Sequence, residues 1–213
     1  MSEESGMGDS QFTLESPEIL ATRAAHLCVD VQNLFAENTE WKVRWLARTL
    51  PNICRITSAY SKETIFTRFI PAAHPGEGQG AWKPYYMRWA HMTRQNLHPE
   101  LLDIVPELAA LAPQAEIIDK PAYGPWLCTG LHYLLKERRV DTLIITGLET
   151  EICILATVSG AVDLGYRIIL IRDAVCSSAD ETHDNILKVY RQRYNMQIEI
   201  IETEEFLRRG GRL

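Results

Sequence analysis

Residues 143–158 read LIITGLETEICILATV: an apolar run closed by Gly147, a polar Glu-Thr-Glu step, and a second apolar stretch at helical spacing. That order leaves few folds open. A continuous apolar run marks a strand covered on both faces rather than one with a wet side. A strand that passes through a tight turn straight into a helix is most of a βαβ unit, and the pattern returns along the chain. Residues 24–30 (AAHLCVD) predict a first strand, 63–69 (ETIFTRF) a second ending near Arg68, and 115–120 (AEIIDK) a short third ending near Lys120. Residues 140–146, 166–172 and 197–201 predict three more. Helices are predicted at 41–61, broken or kinked near Pro51, at 125–138 with proline at the start, and at 151–164, stopped by Gly165. Two further helices are predicted at 180–193 and, briefly, at 203–209. Strands alternating with helices make an α/β fold, a parallel sheet with helices on both faces.

One stretch breaks the rhythm. Residues 70–99 carry Trp82, Tyr85, Tyr86 and Trp89 together with His74, His91 and His98. A loop this long inside a compact domain is usually functional, and it reads as a pocket wall, a lid or a subunit contact.

A chain of 213 residues, 46% hydrophobic and 23% charged, suits one domain with a substantial core. That domain is expected over 21–213, behind a flexible, acidic segment at 1–20. A net charge of −6 gives nucleic-acid binding no electrostatic support. The first residues have no apolar core of a signal peptide, and no apolar run approaches membrane-spanning length. Five cysteines (Cys28, Cys54, Cys128, Cys153 and Cys176) stand at scattered spacings without a Cys-x-x-Cys pair, which points to a reducing compartment. A cytoplasmic protein without membrane or nucleic-acid partners is expected.

In open parallel sheets, ligands bind at the carboxyl ends of the strands. Three reactive side chains fall there: Asp30 after the first strand, Lys120 at the end of the third, and Cys153 just after the fourth. Together they make a coherent device. The cysteine attacks an electrophilic carbon, the aspartate takes its proton and later gives it to a leaving amine, and the lysine stabilises both anions. Thr150 as a helix cap would set Cys153 in the first turn, where free N–H groups and the helix dipole favour a thiolate. A thiol alkylator should then react fastest at Cys153. Pattern alone leaves plainer roles open: Asp30 as a turn cap, Lys120 as a surface lysine, Cys153 as a buried helix residue.

Three blocks raise the first reading. VDVQNLF at 29–35, DKPAYGPW at 119–126 and TGLETEICILATVSGAVDLGYRIILIRDA at 146–174 resemble the three signature regions of the isochorismatase-like cysteine hydrolases, in that family's order and spacing. The resemblance implies a three-layer α/β/α fold with a six-stranded parallel sheet, in a protein expected to form a homo-oligomer. It implies an Asp-Lys-Cys triad at Asp30, Lys120 and Cys153. It also implies a cis peptide between Leu148 and Glu149, and an oxyanion hole made by the N–H groups of Glu149 and Cys153. Nicotinamidases of this superfamily follow the second strand with an Asp-x-His metal pair; here Phe69 and Pro71 stand in those slots, so neither metal nor cofactor is expected. True isochorismatases cleave a vinyl ether and lack the cysteine. What the resemblance leaves is hydrolysis of an amide, carbamoyl or related C–N bond of a small molecule through a thioester. The alternatives are a non-catalytic binding or scaffold protein on the same fold, or isochorismatase or nicotinamidase activity after all. A dinucleotide-binding enzyme would need a glycine-rich turn after the first strand, and residues 30–35 contain no glycine. Phe35, Trp82, Tyr123 and Trp126 are nominated as pocket walls, with Arg68 as an anion anchor, while Glu149 and Glu151 would bias the pocket toward cationic or donor-rich substrates.

Overall fold

A computed structural model describes residues 24–210; the segment expected to be flexible, 1–20, lies outside them. Six strands, β1 (Ala24–Val29), β2 (Thr64–Phe69), β3 (Glu116–Lys120), β4 (Thr142–Leu148), β5 (Arg167–Cys176) and β6 (Ile198–Ile201), form one sheet. Every pairing is parallel, and the order is β3-β2-β1-β4-β5-β6. From β1 in the middle of the sheet the chain winds outward to β3, then returns across to β4 and winds the other way. β1 and β4 therefore flank the point where strand order reverses, and the crevice outside their carboxyl ends is where such sheets bind ligands.

Because side chains alternate across a strand, the two sheet faces have separate cores. Cys28, Phe66, Ile144, Leu148, Ile169 and Ile171 face one way, onto α1 (Asn33–Ala36), α2 (Leu46–Ala59), α4 (Pro106–Leu111) and α8 (Thr203–Arg208). Leu27, Val29, Ile65, Leu143, Ile145, Ile168 and Leu170 face the other, onto α5 (Leu131–Glu137), α6 (Leu155–Asp163) and α7 (Asp180–Arg193). Helix α7 is charged to match its dipole, with Asp180 and Glu181 in the first turn and Arg191 and Arg193 in the last. No helix among the described residues is long and apolar enough to cross a membrane.

Several element boundaries differ from the sequence expectation. Helix α2 starts at Leu46 rather than 41, because residues 37–45 wind as turns tied back by Val43 N–H donating to the carbonyl of Phe35 (2.9 Å). It then runs through Pro51 without interruption. Helix α5 starts at Leu131 rather than 125: Thr129 Oγ1 donates to the carbonyl of Pro125 (2.5 Å) and accepts from Leu131 N–H (3.1 Å), holding residues 125–130 in an irregular turn. Residues 70–99 are not a plain loop. They carry α3 (Trp82–Arg88) and a 3-10 turn at Ala90–Met92.

Gly147 sets the end of β4. Its φ is +114°, and a Cβ there would lie 2.1 Å from the carbonyl oxygen of Val29. Only glycine allows β4 to press this closely against β1, which sets the turn after β4 beside the turn after β1.

Candidate active site

The residue after β1 is Asp30, wholly buried, with a left-handed φ of 55°. Aspartate tolerates that conformation better than most residues, and β2 holds it there. Asp30 N–H donates to the Thr67 carbonyl (3.1 Å) and Thr67 Oγ1 donates to Asp30 Oδ1 (2.6 Å). The other oxygen, Oδ2, lies 2.7 Å from Lys120 Nζ at the end of β3, and both side chains are inaccessible to solvent. The ammonium also donates to the carbonyls of Ala122 (3.1 Å) and Tyr123 (2.8 Å), and the Phe69 ring covers it at 5.5 Å. Burial alone would disfavour the charge on Lys120, but Asp30 and then Cys153 outweigh it and hold the lysine pKa above its ordinary value.

Cys153 comes from the turn after β4. The Leu148–Glu149 peptide is cis, and the carbonyl of Glu149 accepts N–H groups from both Ile152 (3.1 Å) and Ile154 (3.0 Å). The wide π-helical turn Thr150–Ile154 results, a form common at functional sites. It carries the Cys153 thiol within hydrogen-bonding reach of the Asp30 carboxylate and the Lys120 ammonium. An acid, an amine and a thiol thus meet at the crevice between β1 and β4.

Two details depart from the sequence expectation. Thr150 does not cap the turn. Its hydroxyl is buried, donates to the Cys176 carbonyl (3.2 Å) and meets His183 Nδ1 (2.9 Å), tying the turn to β5 and α7. Nor does the thiol rest as a thiolate. Burial, and next the neighbouring Asp30 carboxylate, push its pKa well above the ordinary value, and the pull of Lys120 does not overcome them. The surroundings favour the S–H form, with a base beside it.

The thiol opens into a cavity of about 380 Å³, a size suited to a small molecule. Phe35, Trp41, Phe69, Tyr85, Trp89 and Tyr123 wall it, and Glu149, Ile152 and Ser178 close the side nearest the turn. Of the nominated wall residues, Phe35 and Tyr123 lie in this lining. Trp82 does not; it braces the wall from behind, edge-on to Tyr123 (5.0 Å) and Tyr85 (5.2 Å). Trp126 is a packing residue, donating Nε1–H to the Thr157 carbonyl (2.9 Å) and stacking on Tyr166 over the bare backbone of Gly160. Arg68 is no anion anchor, since it forks onto Asp119 (2.7 and 2.9 Å) and reaches Asp103 (3.1 Å) away from the cavity. Glu151 also points away, accepting from Ser177 (2.6 Å) and Thr182 (2.7 Å). Trp41, Tyr85, Trp89, Ile152 and Ser178 are lining residues not nominated from sequence. Tyr85 and Trp89 sit in the aromatic-rich stretch 70–99, whose composition was the available signal; for Trp41, Ile152 and Ser178 there was none.

The metal pair of nicotinamidases does not fit these residues. Phe69 lies over the ammonium and the Pro71 carbonyl is taken by Arg94 Nε (3.0 Å), and among the described residues no group of three or more His, Cys, Asp or Glu is placed to hold a metal ion.

Comparison with known proteins agrees with this architecture. A family model, the isochorismatase domain, matches residues 24–205. The isochorismatase family protein YwoC of Bacillus subtilis is 28% identical over 160 residues, covering 75% of this chain and 82% of that protein. A cysteine hydrolase structure from Pseudomonas syringae pv. phaseolicola superposes with a TM-score of 0.74 at 26% identity, covering 92% of this chain and 93% of that one. N-carbamoylsarcosine amidase from Thermoplasma acidophilum, at 18% identity, shares the fold with a TM-score of 0.69 over 85% of this chain and 97% of its own.

Proposed function

The chain belongs to the isochorismatase family of hydrolases, and from that premise we propose that it is a cysteine amidohydrolase, cleaving a C–N bond of a small amide, carbamoyl or ureido compound through a thioester. One observation carries the reading: a thiol at a cavity wall, beside a buried carboxylate that is itself ion-paired with a buried ammonium at 2.7 Å. That arrangement suits a nucleophile activated only when needed.

When an acyl carbon sits against Cys153, Asp30 takes the S–H proton and the sulfur bonds to the carbon. The carbonyl oxygen becomes an oxyanion, for which the N–H groups of Glu149 and Cys153 serve as donors. The C–N bond then breaks as Asp30 returns the proton to the leaving nitrogen, and the acyl group stays on sulfur. Water attacks the thioester, Asp30 takes a water proton, the C–S bond breaks, and the proton goes back to sulfur. Lys120 stays protonated throughout, steadying the carboxylate and each transient anion. The scheme consumes one water and needs no redox partner.

A panel of amides, carbamoyl compounds and lactams, assayed for released ammonia or amine, tests this, with mass spectrometry of the stopped reaction. The expected result is turnover of at least one class and an acyl adduct on Cys153. For Cys153→Ala, kcat/KM should fall by about 10³-fold or more with the fold retained. Turnover surviving that substitution, or no turnover across the panel, would refute the mechanism and favour a binding protein on this fold.

A further inference from the structure

Resting on the reading above, we propose that the cavity selects amides whose far end carries a positive charge, a quaternary or protonated amine, and that Glu149 makes the selection. Half of the residues lining the cavity are aromatic. Trp41 is its hub, with the rings of Phe69 (5.9 Å), Trp89 (5.9 Å) and Tyr85 (6.2 Å) gathered around it. Aromatic faces grouped this way attract organic cations, most strongly where water is excluded.

Charge decides between a cation and a neutral flat ligand. Three charged side chains lie in the lining: Glu40, Lys42 and Glu149. Glu40 and Lys42 are exposed and opposite in sign, so they offset each other at the mouth. Arg88 rests on the Trp89 ring at 5.7 Å but is itself exposed. Behind the sulfur, Asp30 and Lys120 neutralise one another. Glu149 alone is partly buried, and among the described residues its carboxylate accepts only from Ser178, through N–H (3.2 Å) and through the hydroxyl. No Lys, Arg or His among the described residues forms an ion pair with it. Burial accordingly lifts its pKa above the ordinary carboxylate value, as expected of an acid short of a cationic partner. Arg68, nominated from sequence as an anion anchor, is committed to two aspartates elsewhere. A carboxylated substrate would meet Glu149 with no inner cation to offset it, whereas a cationic one supplies the missing partner.

Three amides of matched shape test this, ending in trimethylammonium, tert-butyl and carboxylate groups. Wild-type protein should favour the cationic over the tert-butyl amide by about tenfold or more in kcat/KM, with the carboxylate slowest. The ratio between the cationic and neutral amides should fall toward one in Glu149→Gln, whatever that variant's absolute rate, and should fall also in Trp41→Leu. A binding measurement separates selection from chemistry: benzyltrimethylammonium should quench the tryptophan fluorescence of Cys153→Ala protein and bind less tightly when Glu149→Gln is added. Equal or faster turnover of the tert-butyl amide, or a ratio unchanged in Glu149→Gln, would overturn the inference while leaving the hydrolase reading standing. Binding of the ammonium probe that depends on Glu149, without turnover of any amide, would support the selection and remove the hydrolase reading.

Discussion

Asp30 illustrates how much local arrangement one functional side chain requires. Its backbone is left-handed, both backbone and carboxylate are fixed by Thr67, and its free oxygen faces an ammonium. Thr67→Val keeps the shape and removes the hydroxyl donor. Since a hydrogen bond to a charged group is worth about 1.5–3 kcal/mol, kcat/KM should fall by roughly tenfold or more, and the melting midpoint should drop by several degrees because the same buried bond also holds the fold. The raised pKa of Cys153 makes a second prediction, opposite to the expectation of a fast-reacting thiolate. At neutral pH, iodoacetamide should modify the exposed Cys128 before Cys153, and labelling of Cys153 should keep accelerating as pH rises above 9.0, the ordinary thiol value. Peptide mapping of a timed reaction reads the order. Positions at strand ends were legible in sequence because apolar runs stop visibly at Asp30, at Asp119 just before Lys120, and at Gly147. The titration state of the thiol was not, since burial and the Asp30 charge arise only once distant segments meet.

At the scale of elements, His26 ties three strands together. Its ring is wholly buried in β1, with Nδ1 3.0 Å from Thr64 Oγ1 on β2 and Nε2 2.8 Å from Thr146 Oγ1 on β4. Burial lowers its pKa from 6.5 to about 3. The unfolded chain therefore binds a proton below pH 6.5 that the folded protein refuses. The stability tied to the neutral ring is complete above that pH and is lost as pH falls toward about 3, by roughly 5 kcal/mol across the window. Urea midpoints measured from pH 7 down to 4 should fall in the wild type and fall less steeply in His26→Leu. The central strands β1 and β4 were legible because burial on both faces leaves a nearly continuous apolar run, whereas edge strand β3 is mostly exposed and shows only an Ile-Ile pair. Helix starts were less so, since side-chain hydrogen bonds such as those of Thr129 delay them without changing composition. Helix α3 itself stayed hidden for a related reason: its short apolar face packs on other aromatics rather than on the sheet. The aromatic composition of 70–99 nonetheless already read as a pocket wall, a lid or a subunit contact.

Across the whole molecule, the strand order places the reversal point at the centre, so that the site draws on loops after β1, β2, β3 and β4 while the sheet behind them stays regular. The division of the core by that sheet has its own consequence. Ile53 of α2 and Leu131 of α5 are both fully buried, on opposite faces. Alanine at either should cost about 2–5 kcal/mol by opening a void. The sheet stands as a bulkhead between the two compartments, and relaxation into one hole cannot draw atoms from beyond it. The two losses in chemical denaturation should therefore sum to within about 0.5 kcal/mol in the double variant, and evolutionary drift in either hold can proceed with no answering change in the other.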